Sequence, residues 1–226
     1  MCGALRGRAR RLHRRMSTSA QPDRELAVAK YRGEASAYDR RTRVIDRYRR
    51  QTIKRLTLAP GETVIDVACG TGASFEVLER QIGSQGRLIG IDVSPEMLAL
   101  ARERAKCHHW DNVTLIAASV DEAQLDAQAD AALFSFTHDV LQSPAAIDNV
   151  LAHLVPGARL VAVGGKSPSR WILPVHLVAR RIGARYTTTL TGYDRPWQQL
   201  ASRLDGLTVE QRALGAVYLA SARTPS

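Results

Sequence analysis

The chain has 226 residues, enough for one domain with a full core and a small appendage. Charged residues make up 24% and apolar residues 45%, and no apolar run reaches the ~20 residues that span a bilayer, which excludes disordered and helical membrane-spanning classes. The formal charge of +10 points to nucleic acid until it is located: Arg6, Arg8, Arg10, Arg11, Arg14 and Arg15 supply six of those charges within residues 1–16. That segment has no interleaved aromatic residues on which bases could stack. It reads as a disordered basic tail over 1–21. Its first 15 residues are taken as an extension upstream of a start at Met16 in preference to a loose electrostatic tether or a transit peptide, for which the apolar face is poor. Cys2, Cys69 and Cys107 form an odd, sparse set without metal-ligand spacing, which fits a reducing cytoplasm and no disulfide framework.

From Pro22 to about residue 58 apolar residues recur at helical spacing among arginines, so an N-terminal helical lid is expected there. Pro60-Gly61 punctuates, and Thr63–Val67 reads as a buried strand that carries Asp66 near its end. Gly70 and Gly72 form a turn, and a helix is expected from Ala73 to Ile82. Strand Arg87–Ile91 and helix Pro95–Ala105 follow, the helix capped by Ser94 with Pro95 at its first position. Next come strand Val113–Ala117, a short helix near Asp121–Ala127, strand Ala131–Phe136, helix Ala145–Leu154, the turn Pro156-Gly157 and strand Arg159–Val163. Strands alternating with helices imply an α/β fold, a doubly wound Rossmann-like sheet. After an insertion at about 166–193, Arg195–Leu204 reads as a helix. Leu207–Leu214 and Ala216–Ala222, separated only by Gly215, must form an antiparallel hairpin. The expected sheet therefore has seven strands, mostly parallel with the last antiparallel, in a domain over 59–226.

The segment VIDVACGTG (64–72) carries the chemistry. A strand running into a glycine turn and a helix exposes backbone N–H groups to a nucleotide-like ligand. A dinucleotide fingerprint wants a third glycine, and Phe75 stands there instead. Asp66 inside the strand also suits a ligand with a cationic amine better than a pyrophosphate. The duller alternative is a glycine turn that merely joins strand to helix.

This segment resembles motif I of the class I S-adenosylmethionine-dependent methyltransferases. IGIDVSPEMLALARERA (89–105) resembles the block whose acid holds the ribose, here Asp92, and LVPGARLVAVG (154–164) resembles the motif around the fifth strand. Within that family the chain is similar to the quinone-biosynthesis and phospholipid N-methyltransferase group (type 11/25-like domains), which share the pair seen here as Tyr38-Asp39. The resemblance implies S-adenosyl-L-methionine as cofactor. Asp66, Ala68, Gly70 and Gly72 would line its methionine side and Asp92 its ribose. Val93 and Met97 would pack near the adenine, and Ser119 and Val120 would meet its edge. Ser135, at the end of the fourth strand, would border the same site. Two positions depart from the family pattern. Ala68 replaces its first glycine, which a negative φ would tolerate, and Ser119 replaces the acid that often reads the adenine amine, with Asp121 two residues on as a substitute.

FSFTHDV (134–140) should border the transferred methyl by the crevice rule for open α/β sheets. His138 and Tyr38 are the candidate catalytic residues, His138 as a base with Asp139 to orient it. A base is needed only where the acceptor must lose a proton. His138 can equally be a packing histidine. Tyr31, His138 and Trp171 are the candidate substrate-binding residues, with Tyr31 and Tyr38 closing over the cofactor or serving as helix core. Trp171 and Leu173 would face a greasy substrate or cover the sheet edge. Cys107-His108-His109 has no partner cluster, so no metal is expected.

The expected activity is methyl transfer from S-adenosylmethionine to a small, hydrophobic or aromatic acceptor at O, N or C. Rivals are a phospholipid-headgroup N-methyltransferase, a non-catalytic S-adenosylmethionine-binding protein, a nucleic-acid methyltransferase and a dinucleotide oxidoreductase. Expected partners are a small-molecule or lipid-like acceptor, no specific nucleic acid, at most peripheral membrane contact, and an open question of homodimerisation.

Overall fold

A computed structural model describes residues 45–168 and 187–226. The basic tail, most of the helical lid with Tyr31 and Tyr38, and the part of the insertion that carries Trp171 and Leu173 lie outside the described residues.

The elements are α1 (Asp46–Lys54), β1 (Thr63–Val67), α2 (Phe75–Ile82), β2 (Arg87–Asp92), α3 (Pro95–Cys107), β3 (Val113–Ala117), β4 (Ala129–Ser135), α4 (His138–Leu141), α5 (Pro144–Ala152), β5 (Leu154–Gly165), α6 (Gln198–Ala201), β6 (Thr208–Arg212) and β7 (Val217–Arg223). The strands form one seven-stranded sheet in the order β3-β2-β1-β4-β5-β7-β6. The first five are parallel, and β7 runs antiparallel to both β5 and β6. This is the Rossmann-like α/β sheet expected from the alternation. The order reverses between β1 and β4, which opens a crevice at their carboxyl ends.

Strand parity sorts the core into two layers. Ile65, Val67, Ile89, Ile91, Ala132 and Phe134 face α5 and Leu200. Val64, Leu88, Ala131, Leu133 and Val161 face the other way, against Ile53 of α1, Phe75, Leu78 and Ile82 of α2, and Leu98 and Ala101 of α3. Each fully buried Val, Leu, Ile or Phe among them contributes about 1.5–3 kcal/mol relative to exposure. By the same alternation Asp66, Asp92 and Ser135 fall on the second face, beneath the helices α1 to α3.

Five elements depart from the sequence expectation. No helix forms at 121–127, because the Asn149 side-chain amide donates to the carbonyls of Val120 (2.7 Å) and Ala123 (3.0 Å), the acceptors that a helix there would use. The Pro156-Gly157 turn lies inside β5: Leu154 pairs with Ala129 but Arg159 with Ala131, and the intervening bulge is held by Gly157 N–H to Pro225 and Thr224 N–H to Ala158. The expected helix 195–204 keeps only Gln198–Ala201, since Pro196 has no N–H and the preceding residues bond as single turns. A one-turn helix, α4, fills the gap after β4. The expected helix from Ala73 begins at Phe75.

Candidate functional site

The turn after β1 winds through three left-handed residues, Ala68 (φ 52), Gly70 (φ 58) and Gly72 (φ 72). The negative φ under which alanine would be tolerated at position 68 is therefore not what the chain adopts. Neighbouring bonds impose this backbone: Cys69 N–H extends the ladder to Ile91 (2.9 Å), Gly72 N–H turns back to Cys69, and Arg104 of α3 donates to the Gly72 carbonyl at 3.0 Å. Phe75 is fully buried where a third glycine would stand, its ring against Gly72 and Gly90.

Two carboxylates sit below this turn. Asp66 is 1% exposed, and its Oδ2 has no hydrogen-bond partner. Burial pushes its carboxyl up to about 7, against the pull of the Arg49 guanidinium and a hydrogen bond from Ser74, with Asp92 adding to the rise. Ser74 stands at the N-cap of α2 but makes no capping bond. Asp92 ties the site together: Oδ2 accepts from Gly70 N–H and Oδ1 from Ser94 N–H, both at 2.8 Å. Burial raises its carboxyl as well, and the backbone N–H bonds of Ser94, Gly70 and Val93 oppose the rise. Beyond these backbone bonds the Asp92 carboxylate keeps acceptor capacity for a ligand hydroxyl. Ser94 also caps α3, accepting from Met97 N–H at 3.3 Å, so one short loop builds both the helix start and the carboxylate's cradle.

The other sequence-predicted residues are more spread out. Val93 is half-buried and Met97 is buried at the start of α3. Ser119 bonds Glu122 at 3.2 Å. The Val120 side chain belongs to the apolar layer facing α5, not to the crevice, so a ligand would meet its backbone only. Asp121 is exposed. Ser135 accepts from Arg49 Nε at 3.3 Å. Phe136, with φ 59, turns β4 sharply towards α4, a strained backbone at the crevice mouth.

His138 opens α4 and is buried. Its Nε2 lies 3.0 Å from the Thr191 carbonyl, which can only accept, so Nε2 carries the proton. Nδ1 then holds the lone pair, buried and without a partner. Burial lowers the imidazole below its ordinary value, with Asp139 and the Thr191 bond opposing. Asp139 does not orient the ring by a hydrogen bond as expected: its Oδ2 accepts from Thr188 N–H at 2.8 Å. Thr191 sets the tautomer, and the Tyr193 ring meets the imidazole edge-on at 5.1 Å. Thr137 Oγ1, Asp139 Oδ1 and Ser167 Oγ are also buried without partners at the ends of β4 and β5. Cys107 is exposed, and His108 stacks on Trp110 at 4.4 Å.

Sequence reasoning did not single out Arg49, Thr191, Tyr193 or Ser167. Arg49 alone left a signal, since Arg49, Ile53 and Leu56 share one helical stripe and the two apolar members are fully buried. The residue set fits a ligand that brings positive charge and hydroxyls without phosphates: an open buried carboxylate oxygen, a second carboxylate with spare acceptor capacity, and a glycine turn.

Residues 58–166 match a family described as a methyltransferase domain. A demethylmenaquinone methyltransferase of Tropheryma whipplei (strain Twist) is 34% identical over 148 residues, 63% of this chain and 60% of that protein. The 2-phytyl-1,4-naphtoquinone methyltransferase of Thermosynechococcus vestitus is 27% identical over 164 residues, 68% of this chain and 70% of that protein. The chain thus spans about 60% of the length of the first of these relatives. Among solved structures, an O-methyltransferase family protein from Burkholderia thailandensis superposes with a TM-score of 0.69 at 18% identity, over 97% of this chain and 68% of that one. The N-methyltransferase NodS from Bradyrhizobium japonicum, in complex with S-adenosyl-L-homocysteine, superposes with a TM-score of 0.58 at 22% identity, over 80% of this chain and 88% of that one. At these identities the structures establish the fold.

Proposed function

We propose that this chain, whose residues 58–166 match a methyltransferase-domain family, transfers a methyl group from S-adenosylmethionine to a small hydrophobic or aromatic acceptor of quinone type. The observation that carries the reading is the open, buried Asp66 oxygen beside the Asp92-braced glycine turn. A buried carboxylate without a cation is costly, and a cationic ligand relieves it. S-adenosylmethionine, when bound, supplies a methyl already activated by the sulfonium.

The chain's own residues position and exclude. Asp66, Ala68, Gly70 and Gly72 form the wall for the methionine side, and Asp92 takes the ribose hydroxyls with its spare acceptor capacity. Val93 and Met97 flank the base, Ser119 and the Val120 backbone meet its edge, and Ser135 closes the site from β4. Collinear positioning of acceptor and methyl supplies most of the acceleration, since effective molarities in well-oriented systems reach about 10⁵–10⁸ M. His138 Nδ1 takes the acceptor's proton where one must leave, because Thr191 fixes the tautomer that leaves Nδ1 basic. The roles of Tyr38 as a catalytic residue and of Tyr31 and Trp171 as acceptor-binding residues belong to the same proposal, and all three lie outside the described residues. The names of the relatives favour a quinone-like acceptor over a phospholipid headgroup. No helix among the described residues is long and apolar enough to cross a membrane.

Labelled methyl transfer from the cofactor into separate quinone, phospholipid and RNA pools tests this. Label in the quinone pool is expected; label only in RNA or phospholipid, or none in any pool, overturns it.

A further inference from the structure

Buried side-chain atoms without hydrogen-bond partners are rare in folded proteins, and here they cluster. Four of the six among the described residues, Thr137 Oγ1, His138 Nδ1, Asp139 Oδ1 and Ser167 Oγ, lie just beyond the ends of β4 and β5. Tyr193 stands beside them. It is 6% exposed, its ring meets the His138 imidazole edge-on, and its hydroxyl makes no hydrogen bond among the described residues. Burial pushes that hydroxyl up to about 12, so it keeps its proton and can donate.

The sheet fixes where the hydroxyl lies. Registered neighbours in parallel strands share a face, and Asp66 pairs with Leu133 as Ser135 does with Val163. Alternation carries that face from Leu133 to Ser135 and from Val163 to Gly165, the last residue of β5. A Cβ on Gly165 would stand 2.6 Å from Tyr193 Oη. Glycine thus leaves room for the hydroxyl on the face of Asp66, at the crevice end of the sheet. The backbone holds it there: Ser167 N–H donates to the Tyr193 carbonyl at 3.0 Å, Tyr193 N–H to Leu190 at 3.1 Å, and His138 Nε2 to the Thr191 carbonyl at 3.0 Å.

We infer that Tyr193, which lies outside the matched methyltransferase segment, is an acceptor-binding residue whose hydroxyl donates a hydrogen bond to a ring oxygen of an aromatic acceptor. Its ring, edge-on to His138, brings one acceptor within reach of both residues. A buried tyrosine hydroxyl ordinarily has a partner, and the acceptor oxygen supplies it. The inference rests on the aromatic-acceptor reading and deepens it.

Equilibrium dialysis in the presence of S-adenosylhomocysteine tests it with two probes: 1,4-dihydroxynaphthalene, kept reduced, and naphthalene, which shares the rings but carries no oxygen. The native chain should bind the dihydroxy probe at least about fivefold more tightly than naphthalene. Tyr193→Phe keeps the ring and removes only the hydroxyl. It should lower affinity for the dihydroxy probe about fivefold or more while leaving naphthalene and S-adenosylhomocysteine within about twofold. Equal loss for both probes would make Tyr193 a packing residue, and no loss would leave its hydroxyl idle; either overturns the inference. If Tyr193→Phe does not fold, Gly165→Ala, whose Cβ would displace the hydroxyl, carries the same expectation and the same overturning results. A native chain that binds S-adenosylhomocysteine but not 1,4-dihydroxynaphthalene overturns the aromatic-acceptor reading itself and this inference with it, an outcome distinct from the others.

Discussion

Phe75 packs its ring so closely on Gly72 that a Cβ at position 72 would stand 2.7 Å from both Cδ2 and Cε2. Phe75 is fully buried against α3 and β2, so the ring cannot simply swing aside. Gly72 also holds φ 72, which an L side chain adopts at a cost of about 1–2 kcal/mol. Overpacking adds about 1–3 kcal/mol. Gly72→Ala should therefore destabilise the chain by about 2–5 kcal/mol, with the steric share recovered in Gly72→Ala/Phe75→Leu beyond the sum of the single changes. Chemical denaturation of the four proteins in that cycle measures it. Additive effects would mean that the ring is not what excludes the side chain.

Ala68 poses the opposite case, a residue with a side chain where the backbone asks for glycine. At φ 52 it carries about 1 kcal/mol of strain. Ala68→Gly relieves this but loosens the unfolded chain by about 0.4–1 kcal/mol, so stability should rise slightly or stay level. Ala68→Val, with a β-branched side chain at positive φ, should lower stability by about 2 kcal/mol or more, a drop in Tm of several degrees for a chain of this size. Thermal melts of the pair decide, and a Val variant as stable as native would show that the turn relaxes to negative φ.

The strands around this turn were legible because buried parallel strands read as short apolar runs between Gly, Pro and Asn. Buried β1 begins and ends where the sequence says, and so does β3, a half-buried edge strand with an apolar run of its own. What failed was decided at a distance. Residues 121–127 have helical composition, yet Asn149, some 25 residues on, takes their carbonyls. α4 is one turn long, too short for a period to register. Arg49 sits in a run with Arg47 and Arg50, and only the buried stripe of Ile53 and Leu56 distinguishes it. The partner of His138 is a backbone carbonyl at Thr191, 53 residues away, and a carbonyl leaves no mark in the sequence.

Asp66 and His138 should divide the pH dependence between binding and turnover. The Asp66 carboxyl is raised from 3.8 to about 7 by burial, so in the free protein it keeps its proton over a range where the unfolded chain has lost it. Its contribution to stability is therefore present below about pH 4 and lost as pH climbs to 7. A cationic ligand favours the ionised form, so cofactor affinity should weaken below pH 7, by at most about tenfold per unit, and level off above it. The His138 imidazole moves the other way. Burial lowers it from 6.5, so the folded chain loses stability as pH falls through 6.5 towards the lowered value, where the unfolded chain already carries the proton. Nδ1 stays basic over that range, and kcat at saturating cofactor should hold below pH 6.5, where an ordinary histidine would be spent. Asp66→Asn should flatten the limb near 7 in the binding profile and weaken affinity at pH 8. His138→Gln should lower kcat about 10²-fold or more for an acceptor that must lose a proton, with cofactor Kd within about twofold. Calorimetric titrations and steady-state rates between pH 5 and 9 on the same preparations separate the two. An affinity limb that persists in Asp66→Asn, or native turnover in His138→Gln, would remove that residue from its role.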